Sequence, residues 1–295
     1  SSVALTAAAF PIGGAINSYL IATAFSGTYT VPGSYPSLTN AGGIFEALNG
    51  GILTGNVVIE ITADLTVETG AVALNQLAES VMDATFTVTI KPSGGPRTIS
   101  GTSAASSGLI IFHGADNVTI DGSTSGGTDQ SLTITNLNTT GVVIWIRSAS
   151  AANGATNNTV KNSLINGSSG TTTIGGILSS GTTLGGDAEA ANSNNTIQNN
   201  LITKVQNALY LRGGATAPTW DQNWLVTENT LGSTVAADKL GFRGMLIGNA
   251  QNFTVSKNTI YGVVSSTSSS STMSGIQVGL AVSGGLISQN KISDI

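Results

Sequence analysis

The sequence predicts an all-β protein, a right-handed parallel β-helix (solenoid) with a short N-terminal capping helix. Three observations lead to this prediction. The composition is rich in turn and β-surface residues, a six-residue motif recurs along the chain, and short apolar strand segments lie between its copies. Recurring units of this length are typical of repeat proteins, which grow by stacking one unit on the next.

The composition favours strands and turns over helices. Hydrophobic residues make up 40% of the 295 residues, enough for a sizeable core, and 38 residues are glycine. Charged residues make up only 8%, against about 25% in a typical soluble domain. Disordered chains are usually poor in apolar residues and rich in charge. The composition therefore argues against disorder.

The residue counts argue against several classes of site. The net charge is −5 and no basic stripe is present, so nucleic acid is not an expected partner. Without cysteine the chain has no disulfide or thiolate metal site, and His113 is its one histidine. We expect no metal and no cofactor. Residues 1–26 lack charge but contain Pro11, Gly13 and Gly14, so no membrane insertion is predicted.

A motif with an aliphatic residue, an asparagine three positions later and a second aliphatic residue two positions after that recurs in the C-terminal part. Its first copy carries serine in place of asparagine. The anchors are 37, 29, 29 and 32 residues apart, and they are Val160, Ile197, Val226, Val255 and Ile287. A unit of this length gives two or three strands and cannot bury its apolar face alone, so stacked coils are predicted.

The motif asparagines predict a ladder at one bend of every coil. Asparagine tolerates the left-handed backbone conformation that a sharp turn requires, and stacked side-chain amides can bond to each other. The predicted ladder residues are Asn200, Asn229, Asn258 and Asn290.

The chain divides into three predicted regions. Residues 1–26 form an extended segment, residues 27–108 the N-terminal cap and first coils, and residues 109–295 the asparagine-punctuated coils. Residues 37–48 are predicted to form the capping helix, with Ile44, Phe45 and Leu48 on one face. No C-terminal cap is visible, which predicts either a longer chain or an end covered by a neighbouring subunit.

Three stretches carry a resemblance to a known group of proteins. They are residues 27–38, residues 55–61 and residues 112–122, the last reading FHGADNVTIDG. Their order resembles the pectate-lyase-like β-helix regions of large secreted surface proteins from Bacteroidetes-type bacteria. The resemblance implies export to the cell surface and an adhesin-like or structural role.

No catalytic residue is predicted. Asp116 and Asp121 are the first carboxylates that a glycosidase would use, but both stand in ordinary turn dipeptides. Asp187 and Glu189 form the next close pair, in a glycine-rich loop that favours a solvated turn. The turn interpretation is preferred for both pairs.

Basic residues offer a weaker hypothesis. Arg147, Arg212 and Arg243 each lie in or at the end of an apolar strand segment, where they could share one face and bind an anionic sugar. The preferred interpretation is that they keep a sheet face soluble. His113 ends an apolar segment and is interpreted as a polar strand-end residue.

Four aromatic residues carry the best indication of carbohydrate binding. Trp220 and Trp224 flank Asp221, and Tyr210 and Tyr261 lie in neighbouring coils. They could form a platform for sugar rings or pack over the coils, and the sequence favours neither. Asn-x-Ser/Thr sequences are attributed to turn chemistry and occur at Asn117, Asn138, Asn157, Asn166, Asn194 and Asn252.

The first functional hypothesis is a non-enzymatic, extracellular or cell-surface protein that serves as a rigid stalk or adhesive module and binds cell-surface glycans through many weak contacts. The first alternative is an extracellular fibre subunit that self-assembles. It would do so either through residues 3–25 as an intersubunit strand or by end-to-end stacking. The second alternative is a polysaccharide lyase or hydrolase.

Overall fold

The structure is a computed structural model that describes residues 22–81, 85–264, 273–279 and 281–295. In this part of the chain nearly all regular structure is β, and every pairing between named strands is parallel. The strands form sheets of 10, 8, 7 and 3 strands. The prediction of a parallel β-solenoid is confirmed.

Each full coil contributes one strand to each long sheet, and we name the sheets A, B and C. Sheet A contains Thr23–Val31, Gly51–Ile61, Val88–Pro92, Val118–Asp121, Thr159–Lys161, Thr196–Gln198, Leu225–Thr227, Thr254–Ser256 and Leu286–Ser288, with Ala78–Glu79 beside the second strand. Sheet B contains Leu65–Glu68, Arg97–Gly101, Leu132–Asn136, Ser163–Asn166, Leu201–Thr203, Thr230–Leu231, Thr259–Ile260 and Lys291–Ile292.

Sheet C and a short fourth sheet, sheet D, complete the coil. Sheet C contains Leu74–Asn75, Gly108–His113, Val142–Arg147, Gly175–Ser180, Asn207–Arg212, Arg243–Gly248 and Ser274–Val278. Sheet D contains Asp221–Gln222, Ala250–Gln251 and Val282–Ser283.

The motif anchors stack in one file inside sheet A. Val160 pairs with Ile197, which pairs with Val226, and the file continues to Val255 and Ile287. The first four of these side chains are at most 1% exposed. Because strand side chains alternate between faces, the fixed register places these four anchors in the core between the sheets. Ile287, in the last strand of sheet A, is 43% exposed.

The bend between sheets A and B differs from the predicted geometry. The left-handed residue is the one before each motif asparagine, for example Asn199 with φ 50°, Glu228 with φ 61° and Lys257 with φ 57°. The motif asparagines Asn200, Asn229 and Asn258 do not adopt a positive φ. Their amides are needed inside the bend, and the preceding residue makes the turn.

The motif asparagines form a buried hydrogen-bonded ladder. Asn229 Oδ1 accepts from the backbone N–H and the side-chain amide of Asn200, both at 3.0 Å. The Asn229 amide donates to Asn258 Oδ1 at 2.9 Å and to the Ile197 carbonyl at 2.9 Å, and Asn258 repeats the contact with Asn290. The ladder therefore satisfies backbone groups that the bend would leave unpaired.

The N-terminal helix is shorter than predicted. It spans Ile44–Asn49, and Ile44, Phe45 and Leu48 are buried as expected. Residues 37–43 form a loop instead, because the buried Glu68 carboxylate accepts hydrogen bonds from the hydroxyls of Ser37 and Thr39 and from backbone N–H groups. These bonds hold the loop outside the helical conformation.

The predicted intersubunit strand lies mostly outside the described residues. Of residues 3–25, the structure describes only the last four, and Phe25 is buried in a strand that pairs with Gly51–Ile61. The idea of end-to-end association stays a prediction. Among the described helices, none has the length and hydropathy that a membrane span requires.

Candidate functional site

The outer face of sheet C carries a second apolar cluster. Ile111, Trp145 and Leu178 occupy the same register position on successive strands, and Tyr210 follows them. They pack with Val142 outside the main core. This is why the strands Gly108–His113 and Val142–Arg147 run apolar without alternation: both of their faces are covered.

A cleft of about 520 Å³ opens above this cluster. Its apolar floor includes Trp145, while loop residues supply a wall of hydroxyl groups. The lining residues are Ser106, Ser107, Trp145, Arg147, Ile174, Thr182, Thr183 and Leu184. An apolar floor with a few convergent polar groups is the usual form of a small-molecule site.

Arg147 is the charged group of the cleft. Its guanidinium lies 4.6 Å from the centre of the Trp145 ring, and the indole Nε1 donates to Ser180 Oγ at 2.9 Å, which fixes the ring. Arg147 forms no ion pair within the described residues, and its buried Nε has no hydrogen-bond partner there. The arrangement presents a stacked cation with unused donor capacity.

His113 lies beside Arg147 at the paired position of the neighbouring strand. Burial lowers the pKa of His113 below its ordinary 6.5, the positive charge of Arg147 lowers it further, and Glu189 opposes both. The imidazole Nδ1 is buried without a hydrogen-bond partner in the described chain. A neutral imidazole next to a guanidinium provides a base beside an anion-binding group.

The loop of residues 181–189 closes one side of the cleft. Glu189 accepts from Ser148 Oγ at 2.6 Å and from Thr182 Oγ1 at 2.6 Å. Burial acts to raise the pKa of Glu189, but these hydrogen bonds outweigh it and leave the pKa below its ordinary value. Asp187 pairs with Arg212 at 2.8 Å. The two acids anchor this loop, where a solvated turn was predicted.

The three arginines singled out from the sequence do share the outer face of sheet C. Arg147 and Arg212 occupy the same register position two coils apart, and Arg243 begins a strand at the opposite edge. They differ in availability, because Arg212 is bound to Asp187 whereas Arg243 has no ion pair in the described residues.

The structure does not bring the four candidate aromatic residues together on one face. Trp224 is 2% exposed and belongs to the main core, where its indole donates to the Asn192 carbonyl at 2.5 Å. Trp220 precedes sheet D, and Tyr261 follows sheet B. Only Tyr210 lies on the outer face of sheet C, where its hydroxyl donates to the Gly185 carbonyl. The physical reason is that the positions of the four residues in the coil direct them to different faces.

The two carboxylates of the first pair are each bonded to a different neighbouring side chain. Asp121 ends the strand Val118–Asp121 of sheet A, whereas Asp116 precedes that strand across the left-handed turn at Asn117. Asp116 is bonded to Thr156 and Asp121 to Lys161. No cluster of metal-binding side chains occurs in the described residues.

Sequence reasoning missed the central residues of the cleft. The sequence places Trp145 in an apolar run and gives no indication that Ser180 or the loop hydroxyl groups lie near it. The one available signal was the run from Val142 to Ile146, since a strand that is apolar on both faces must have its outer face covered. The run does not reveal which loop covers that face.

Comparison with known proteins gives matches only among solved structures. No family model and no curated protein matches the chain. The A-module of a mannuronan C-5 epimerase from Azotobacter vinelandii matches with a TM-score of 0.33 and 13% identity, over 83% of this chain and 82% of that chain. An alginate lyase from a Paenibacillus species matches with a TM-score of 0.25 and 11% identity, over 84% and 97%.

These matches contradict the prediction of a non-enzymatic protein, because both solved structures are enzymes. At such low identity the likeness extends to the fold alone. It assigns neither an activity nor a substrate to this chain. The predicted relation to Bacteroidetes surface proteins and the predicted extracellular location are not tested by it and stay predictions.

Proposed function

We propose that this protein is a lyase that cleaves an acidic polysaccharide at the outer face of sheet C. The observation that carries the proposal is Arg147, a cation stacked on Trp145 in a hydroxyl-lined cleft, without an ion pair in the described chain and directly beside His113. A uronate supplies the carboxylate that this cation lacks and the hydroxyl groups that suit the lining.

Binding uses the planar guanidinium. Arginine recognises a carboxylate through two parallel hydrogen bonds, and such charge-assisted bonds are stronger than neutral ones. Trp145 holds the guanidinium plane, and Ser180 holds Trp145. The carboxylate is therefore placed next to the imidazole of His113, the paired residue on the adjacent strand.

The proposed reaction is a β-elimination. His113 takes the proton from the carbon next to the carboxylate, and the electron pair of that C–H bond delocalises into the carboxylate, where Arg147 stabilises the negative charge. The pair then forms a carbon–carbon double bond as the bond to the glycosidic oxygen breaks. The imidazolium returns its proton to the leaving oxygen. The products are two shorter chains, one with an unsaturated terminal sugar.

The test uses acidic and neutral polysaccharides with the purified full chain. We expect ultraviolet absorbance from unsaturated products with an acidic polymer and none with a neutral one. His113→Ala should lower kcat by at least about a hundredfold, as expected for loss of a general base, with little change in binding measured by calorimetry. Arg147→Gln should weaken binding as well.

Arg97→Gln is the matched control, because Arg97 lies in sheet B and donates to the Ser93 carbonyl. It should leave both binding and cleavage unchanged. The proposal fails if a broad panel of acidic polymers gives no unsaturated product, or if His113→Ala cleaves at the rate of the unsubstituted chain.

The pH profile gives a separate test. Because burial and Arg147 lower the pKa of His113 below 6.5, the base is unprotonated at neutral pH. We expect kcat/KM, which reports the free protein, to be level near pH 7 and to fall as the pH drops below His113's lowered pKa. A profile that falls with an apparent pKa above 6.5 would count against His113 as the base.

A further inference from the structure

We infer that Arg243 forms a second anion-binding subsite, so that one acidic chain is held at both edges of the outer face of sheet C. This inference rests on the proposed acidic ligand but not on the proposed cleavage. It starts from three neighbouring residues, Asn207, Arg243 and Ser274, which occupy the same register position on successive strands.

Each of these residues has a buried polar atom without a hydrogen-bond partner in the described chain. The atoms are Asn207 Oδ1, Arg243 Nε and Ser274 Oγ. Buried polar groups are nearly always paired, and an unpaired one destabilises the fold. Three in one file indicate a position at which another molecule completes the bonds.

Local contacts orient Arg243 and Asn207 but leave Arg243 Nε and Asn207 Oδ1 without hydrogen-bond partners. The Arg243 guanidinium lies 3.9 Å from the centre of the Phe242 ring, as Arg147 lies over Trp145. The Asn207 amide donates to the Ile174 carbonyl at 2.9 Å, which turns its oxygen away from that bond. Arg243 and Asn207 are therefore oriented before a ligand binds.

The chemistry of the three atoms fits an acidic sugar better than a bare anion. Arg243 Nε and the Ser274 hydroxyl can donate to a carboxylate. Asn207 Oδ1 can only accept, so it suits a sugar hydroxyl and would repel an inorganic anion. A uronate offers both groups on one ring.

Register gives the separation of the two subsites. Arg147 and Arg243 are three coils apart, about 14 Å along the stack at the usual strand spacing. They are also about five strand residues apart, or roughly 16 Å along the strands. The ligand must therefore span several sugars, and the path between the arginines passes beside Tyr210, the one predicted aromatic on this face.

The experiment measures the affinity of uronate disaccharides, tetrasaccharides and octasaccharides by calorimetry, with neutral oligosaccharides of equal length as a reference. Arg243→Gln should weaken octasaccharide binding at least about tenfold, as expected for loss of one charge-assisted contact. It should leave disaccharide binding unchanged. Arg147→Gln should weaken binding at every length.

Ser274→Ala is a second, milder variant, and it should weaken octasaccharide binding in the same direction. Arg97→Gln again serves as the control, and circular dichroism shows that each variant is folded. The inference is overturned if folded Arg243→Gln binds the octasaccharide as tightly as the unsubstituted chain, or if the loss is the same for the disaccharide. A chain that binds octasaccharide through Arg243 but never cleaves it would refute the lyase and keep this subsite.

Discussion

At the scale of single residues, two adjacent residues share the bend between sheets A and B. One adopts the left-handed backbone conformation, and the next supplies the side-chain amide of the ladder. The left-handed position before the ladder is filled by residues as different as Asn199, Glu228 and Lys257. The following asparagine supplies the amide. The motif correctly predicted which residues stack, but the conformational preference of asparagine wrongly suggested which one turns, because Glu and Lys rarely adopt positive φ.

Lys257 provides a test of this separation. Its φ of 57° strains a lysine, and asparagine tolerates the same conformation better. We expect Lys257→Asn to raise the free energy of unfolding by about 0.5–1 kcal/mol, measured by urea denaturation. Lys291→Asn, at a strand position of sheet B, should give no gain. Equal effects at the two positions would contradict the explanation.

Asp221 makes folding stability depend on pH. It is 1% exposed, and burial raises its pKa from 3.8 to about 7, although hydrogen bonds from Asn192 and Ser179 act in the opposite direction. A raised folded-state pKa gives stability that is complete below the unfolded value near 4 and is lost as the pH rises through 7. We expect Tm to fall from pH 5 to pH 8.

Asp221→Asn should flatten that pH dependence, because asparagine can still accept from Asn192 and cannot ionise. The expected gain in stability at pH 8 is on the order of a few kcal/mol. Asp221→Ala is the contrasting variant, since it leaves the Asn192 N–H and the Ser179 hydroxyl without their partner and should destabilise at every pH. An unchanged pH slope in Asp221→Asn would refute the assignment.

At the scale of elements, the core faces of the strands could be predicted from alternation, whereas the cleft could not. The first four aliphatic anchors and Ile44, Phe45 and Leu48 are buried as predicted. The cleft depends on the loop of residues 181–189 folding back over sheet C, and no local pattern encodes where a loop of this length returns. The shortened helix has the same origin, since Glu68 reaches its loop from a distant strand.

The asparagine ladder is the element whose loss should be most costly. Asn229→Ala removes the acceptor of the Asn200 N–H and the donor to the buried Ile197 carbonyl. We expect a loss of at least about 3 kcal/mol in the free energy of unfolding, because each buried group left unpaired costs about 1–3 kcal/mol. Asn223→Ala, at an exposed left-handed turn, is the control. A smaller loss at Asn229 than at Asn223 would contradict the role of the ladder.

At the scale of the whole molecule, the solenoid is a stack of coils in which equivalent strand positions pair from one coil to the next. Coil length varies because the loops between strands vary, while the paired positions stay aligned from Val160 to Ile287. Stability in such a stack is the sum of the coils and of the contacts between neighbouring coils. The overall architecture was therefore predictable from one recurring motif, although the register of the early coils was not.

Removal of one complete coil tests this additivity. Deletion of residues 226–254 joins Leu225 to Val255, so that Val255 takes the place of Val226 beside Ile197, and the deletion removes one strand from each sheet. We expect a folded β protein with a smaller denaturant m-value, since less surface is exposed on unfolding. A deletion four residues shorter should misalign the following coils and unfold them, and equal stability of the two deletions would refute the additive stack.

The turn that precedes the strands of sheet A has a consequence for the covalent chemistry of the chain. Asn117, Asn157, Asn194 and Asn252 are left-handed there, and in each case the residue two positions later is an outward threonine of sheet A. The turn asparagine and the strand threonine therefore form an Asn-x-Thr sequence, the acceptor for N-linked glycosylation. If the chain passed through a eukaryotic secretory pathway, acceptor asparagines on adjacent coils would lie only about 4.8 Å apart. That spacing is too small for two glycans. Mass spectrometry of such material should find Asn117 and Asn157, or Asn157 and Asn194, modified only in alternation.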